Sequence, residues 1–186
     1  MSKLLPLFLG TLLWGVPREA WGDTRPVQFP AHRIANVPFF PNDDYQCGPA
    51  ALASLLKFWG AETPLETLRK EIYLDRIKGT LPMDLVQAAR KRGLDAQMIS
   101  GSLQQVQEDV LRDHPVIAFL NLGFRSLPKG HFVVVTGIDD ARKGLYVHSG
   151  KKRDEFISYK RFLKNWDKTE RTAILITGKK PPDAAP

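Results

Sequence analysis

The chain has 186 residues, 43% hydrophobic and 25% charged, with a formal net charge of +7 and a single cysteine. That length suits one domain around one core, and the composition excludes wholesale disorder. One cysteine excludes an intrachain disulfide framework and any multi-cysteine zinc or iron–sulfur centre within one chain.

The first residues have the order of a secretory signal. Lys3 gives a short basic start, residues 4–16 are apolar apart from Thr11, and Ala20-Trp21-Gly22 offers small residues for signal peptidase. The apolar run is shorter than the roughly 18–20 residues a spanning helix needs. Residues 1–22 are therefore predicted to be a cleaved signal peptide, with an uncleaved buried or amphipathic helix as the alternative. No cysteine lies at the cleavage point to accept a lipid. The expected location is periplasmic or secreted, with no transmembrane domain after signal removal.

Residues 23–33 form an N-terminal extension, and the Pro-rich stretch through residue 46 (Pro26, Pro30, Pro38, Pro41) reads as an extended leading loop. From Cys47 the pattern turns helical, with Leu52, Leu55, Leu56 and Trp59 on one face and Gly60 as a stop. Thr63-Pro64-Leu65-Glu66 predicts a second helix to about Ile72, capped by Thr63 with Pro64 at its first position. A third runs over 82–92 with Gly93 as its stop, and a fourth over 102–112 is capped by Ser102 with Gln105 in the box position. After these, the apolar runs 116–120, 132–135, 145–147 and 173–176 read as strands, with a small helix over 159–166. Residues 178–186 are expected to be a disordered tail. Helices followed by a mostly antiparallel sheet make an α+β domain.

The basic clusters Arg90-Lys91-Arg92, Lys151-Lys152-Arg153 and Lys179-Lys180 are short and dispersed. They read as solvated faces, with association to an anionic envelope surface as the functional alternative; no nucleic acid is expected as a partner. The four histidines lack a ligand-like spacing, so neither a metal nor another cofactor is expected.

Tyr45-Gln46-Cys47-Gly48-Pro49-Ala50-Ala51 carries the chemistry. It sets the only cysteine at a helix N-terminus, where unsatisfied N–H groups and the helix dipole favour thiolate. Gly48 permits close backbone approach, and Pro49 loses no hydrogen bond in a first turn. Gly130-His131-Phe132-Val133-Val134 puts a histidine at the mouth of a buried strand, placed to act as base to that thiol. His32 and His114 have no comparable setting.

These blocks, with Val37-Pro38-Phe39-Phe40-Pro41 before the cysteine, resemble the papain-like double-glycine (bacteriocin-processing) cysteine peptidase superfamily, in particular its stand-alone exported bacterial branch. The resemblance covers residues 34–177. It implies a papain-like fold, with Cys47 as nucleophile on the central helix and His131 as general base on the sheet. It also marks two departures. Where the family has an oxyanion glutamine, this chain has Asn42, with Gln46 as the alternative donor. Where the family has a third catalytic aspartate, Ser149 stands in Val147-His148-Ser149-Gly150; Asp139 and Asp140 are other carboxylates near the histidine strand, better read as turn residues. Two functions follow: a cysteine peptidase acting on a peptide or protein through a thioester, or a catalytically weakened module that binds extended peptides or envelope proteins.

Overall fold

The computed structural model describes residues 28–43 and 45–178. The expected signal peptide, residues 1–22, and all but the first residue of the expected tail, residues 178–186, lie outside the described residues. A two-residue strand β1 (His32–Arg33) leads into helices α1 (Cys47–Phe58), α2 (Leu65–Ile72) and α3 (Pro82–Arg90). Strand β2 (Asp95–Ser100), helix α4 (Leu103–Leu111) and strands β3 (Val116–Asn121), β4 (Gly130–Asp139), β5 (Gly144–Ser149) and β6 (Lys152–Ser158) follow. Helix α5 (Tyr159–Trp166) and strand β7 (Thr172–Thr177) complete the fold.

The sheet runs β2-β7-β3-β4-β5-β6, and every pairing is antiparallel. On one side β4 pairs with β3 along 130–135, and further along it takes β1 at Gly137 and Ile138. Residues 131–139 of β4 are all buried; since successive side chains point to opposite faces, both faces of this strand are covered. Helices α1 and α4 pack on β4, α3 on β2 and β7, and α5 on β3, β5 and β6. The core joins Leu52, Leu55 and Leu56 of α1 to Ile174 of β7 and includes the fully buried Phe162 and Trp166 of α5. The chain therefore has the expected α+β architecture, with Cys47 opening a helix that packs on the antiparallel sheet.

Several local expectations need correction. The sheet has strands at Asp95–Ser100 and Lys152–Ser158 that were not foreseen, because these edge strands are half-exposed and polar and carry no apolar run. Strand β2 also lies between helices in the sequence yet pairs with the final strand. Residues 32–33, placed in a loop, add a short strand, and Phe29 N–H donates to the Asp140 carboxylate at 2.8 Å. Thr63 does not cap α2: its hydroxyl donates to Ala61 O, and Pro64 is the capping residue. Ser102 does cap α4, its Oγ accepting Gln105 N–H at 3.1 Å. Gly93 ends the turn after α3 at φ +77°, a left-handed value that suits glycine.

Candidate active site

Helix α1 starts without a side-chain cap; its first intrahelical bond runs from Ala50 N–H to Gln46 O at 3.1 Å. Pro49 therefore occupies a position whose N–H has no acceptor in the helix. The expected close approach at Gly48 is made by Thr80, since a Cβ on Gly48 would lie 2.8 Å from Thr80 Cβ. Any larger residue at position 48 would push the 79–81 segment away from Cys47.

Strand β5 ends at Ser149, and its register with β4 begins at Val134↔His148. The first residues of β4 therefore overhang β5. Phe132 N–H, left beyond that partner, donates to Cys47 Sγ at 3.4 Å. This fixes the sulfur next to the residue that follows His131. The register of β5 against β6 shifts between Val147 and Ser149, an irregularity of the kind that redirects a side chain. Ser149 Oγ lies 2.9 Å from His131 Nε2. Cys47 and His131 are both buried, each 7% exposed.

The tripeptide His148-Ser149-Gly150 organises the rest of the site. Gly150 O accepts Asn42 N–H at 3.2 Å and Asn42 Nδ2 at 3.4 Å, while Nδ2 also donates to Phe40 O at 3.1 Å. Asn42 Oδ1 is buried without a hydrogen-bond partner. His148 Nε2 donates to Val37 O at 3.2 Å, and its Nδ1 accepts Asp154 N–H at 3.2 Å. That pattern requires neutral imidazole. The ring also meets Phe39 edge-on, with centroids 5.2 Å apart. One β5 terminus thus pins the 37–42 segment at both ends and holds His131 between them. Sequence reasoning missed His148; its one signal was its place beside Ser149 at the end of a buried strand. The hydrogen bond from Phe132 has no sequence signal, because it belongs to the backbone.

Burial pushes the His148 pKa down from 6.5, outweighing the favourable Val37 and Asp154 contacts. The unfolded chain then takes a proton before the folded one. His148 stabilises fully above about pH 6.5, and the contribution is lost as pH falls below that value. The stability difference between wild type and His148→Gln is expected to narrow as pH falls from 7 to 5, read from thermal denaturation at each pH.

Two depressions meet at Cys47. The one shared with Asn42, His148 and Ser149 has a volume of ≈ 10 Å³, enough for about one water. The other, walled by Thr80 and Leu81 on one side and by Phe119 and Gly130 on the other, has ≈ 470 Å³. Only this second groove has room for a peptide. The Thr80 hydroxyl, buried and without a hydrogen-bond partner, lies in its wall.

The remaining candidates lie elsewhere. Gln46 lines a separate depression with Glu66, Arg69 and Tyr73. Asp139 accepts Arg142 N–H at 2.9 Å in a turn. Asp140 accepts from Gln107 and Tyr159 and holds Phe29 N–H. Both sit at the far end of β4, about 26 Å along the strand from His131. His32 bonds to Asp113 at 2.9 Å, and His114 packs edge-on against Trp59. In the described basic clusters Lys91 and Arg92 pair with Glu71, Lys151 with Asp43, and Lys152 with Glu155. Among the described residues no helix is long and apolar enough to cross a membrane.

Comparisons with known proteins follow the same lines. A double glycine motif protease from an AMS/PCAT transporter, solved in complex with the leader peptide, superposes with a TM-score of 0.62 at 24% identity, over 83% of this chain and 99% of that one. The peptidase domain of Streptococcus ComA, a bi-functional ABC transporter, gives 0.64 at 25% identity over 77% and 99%. A C39-like peptidase from Bacillus anthracis, described as putative, gives 0.67 at 19% identity over 81% and 99%. No curated protein matches significantly. The family model for the peptidase C39 family matches residues 39–180, which takes in Asn42, Cys47, His131 and Ser149. That match spans most of the sequence, and the chain belongs to the peptidase C39 family.

Proposed function

We propose that this protein is an exported cysteine peptidase, acting in the periplasm or outside the cell, that cleaves a peptide bond through a thioester on Cys47. The observation that carries the reading is the hydrogen bond from Phe132 N–H to Cys47 Sγ, which seats the thiol beside His131. Ser149 Oγ lies against His131 Nε2, and the proposed reaction assigns the thiol proton to the other ring nitrogen, Nδ1. The thiolate attacks the scissile carbonyl carbon, and the oxygen becomes an oxyanion at the α1 N-terminus beside Asn42. The intermediate collapses as the C–N bond breaks, and the His131 imidazolium gives its proton to the leaving amine. Water, deprotonated by His131, then attacks the thioester, releasing the acid and restoring the thiol.

Asn42 donates to two carbonyls, of which the 3.4 Å bond to Gly150 is long; its hydrogen is the one available for redirection to the oxyanion. Ser149 orients the imidazole but supplies no charge to stabilise its protonated form. These two features favour a second reading, a weakened site that binds extended peptides without cutting them. The discriminating experiment incubates the chain with a proteome-derived peptide mixture and reads new N-termini by mass spectrometry. The peptidase produces new termini that vanish in Cys47→Ala. The binding module produces none while retaining peptides on the immobilised protein.

A further inference from the structure

The loop joining β3 to β4 is a short hairpin with an apolar tip. Leu122 N–H donates to Lys129 O at 2.9 Å and Phe124 N–H to Leu127 O at 3.1 Å. Asn121 Oδ1 accepts the N–H groups of Gly123 and Lys129, both at 2.9 Å, and Lys168 Nζ donates to Asn121 O and Gly123 O. This tied backbone holds Phe124 78% exposed and Leu127 74% exposed. Neither lines the Cys47 groove, although Pro128, Lys129 and Gly130 at the hairpin base do. Among the described residues, every other exposed large apolar side chain except Met98 is on this loop, at Tyr45 or on the 74–83 segment that forms the opposite wall. The apolar exposure is thus gathered around the groove mouth. Residues 121–130 include Arg125 and Lys129 and no acidic residue.

A convex tip of this kind does not enclose a peptide. Its chemistry matches an interface where apolar groups enter an acyl boundary while cations stay among phosphates. We infer that the 122–129 hairpin seats the protein on an anionic bilayer surface: Phe124 and Leu127 enter the boundary, Arg125 meets the phosphates, and the groove mouth opens along that surface. The inference stands whether or not Cys47 cleaves peptides.

Flotation with phosphatidylglycerol-rich vesicles and with pure phosphatidylcholine vesicles tests it on the full chain, so that residues 1–22 are common to every sample. Wild type and Cys47→Ala are expected to float with the anionic vesicles, and added salt releases them. Phe124→Ser/Leu127→Ser is expected to bind about tenfold more weakly or worse, Arg125→Glu to bind more weakly, and Met98→Ser to match wild type. All these side chains are exposed, and circular dichroism checks that each variant is folded. Equal flotation of wild type and Phe124→Ser/Leu127→Ser would overturn the inference. So would equal binding to neutral vesicles, or no effect of Arg125→Glu. Loss of peptide cleavage by the tip variant in vesicle-free buffer would also overturn it, assigning the tip to substrate instead.

Discussion

Replacing His131 with alanine is expected to lower kcat/KM for peptide cleavage by about 10³-fold or more, with the protein still folded. The imidazole does two jobs in the proposed reaction, taking the thiol proton and giving one to the leaving amine, so no single remaining group replaces it. Ser149 cannot substitute, since its hydroxyl reaches His131 Nε2 at 2.9 Å and has no basic lone pair of comparable strength. Phe132 N–H belongs to the backbone and survives the change, so Cys47 keeps the hydrogen bond that seats it. The loss should therefore fall on kcat, with KM little altered. Measurement on any peptide found in the mixture assay checks this; a loss below about tenfold would assign proton transfer to another group.

Asn42→Ala carries the second large effect, an expected loss of about 10²-fold in kcat. Its Nδ2 already bonds to Phe40 O and Gly150 O, so the side chain braces the loop as well as facing the site. The two roles separate by readout. Loss of oxyanion stabilisation lowers kcat at constant KM, whereas a slackened 37–42 segment also lowers thermal stability. Asn42→Asp sharpens the distinction: it replaces the donor by an acceptor that two carbonyls repel, and should be worse than alanine in both respects. An Asn42→Ala enzyme within a few-fold of wild type would leave the oxyanion to the amides of the α1 N-terminus alone.

Much of this site was legible because its two central residues sit at element boundaries. Cys47 precedes a clean helical periodicity and His131 precedes a buried apolar run, and both boundaries survive in the structure. The place of Ser149 came from the family resemblance, and the structure sets its Oγ within hydrogen-bond reach of His131. Strands β2 and β6 were not legible, because edge strands with half-exposed polar sequences such as Lys152-Arg153-Asp154-Glu155 carry no buried pattern. The role of His148 was also out of reach. One partner, Val37 O, is 111 residues away in sequence, and the other is a backbone N–H across a turn. Thr80 is similar: Gly48 announced that something would approach closely, but only the fold says what.

The central claim is that Cys47 and His131 act as a pair, and the rate of iodoacetamide alkylation against pH tests it without any knowledge of the substrate. Cys47 is the only cysteine, so every adduct reports on it. In the wild type the rate is expected to persist well below the ordinary thiol range, about pH 8.5, and in His131→Ala the inflection is expected to return to that range. An inflection near pH 8.5 in both proteins would contradict the pairing and, with it, the peptidase.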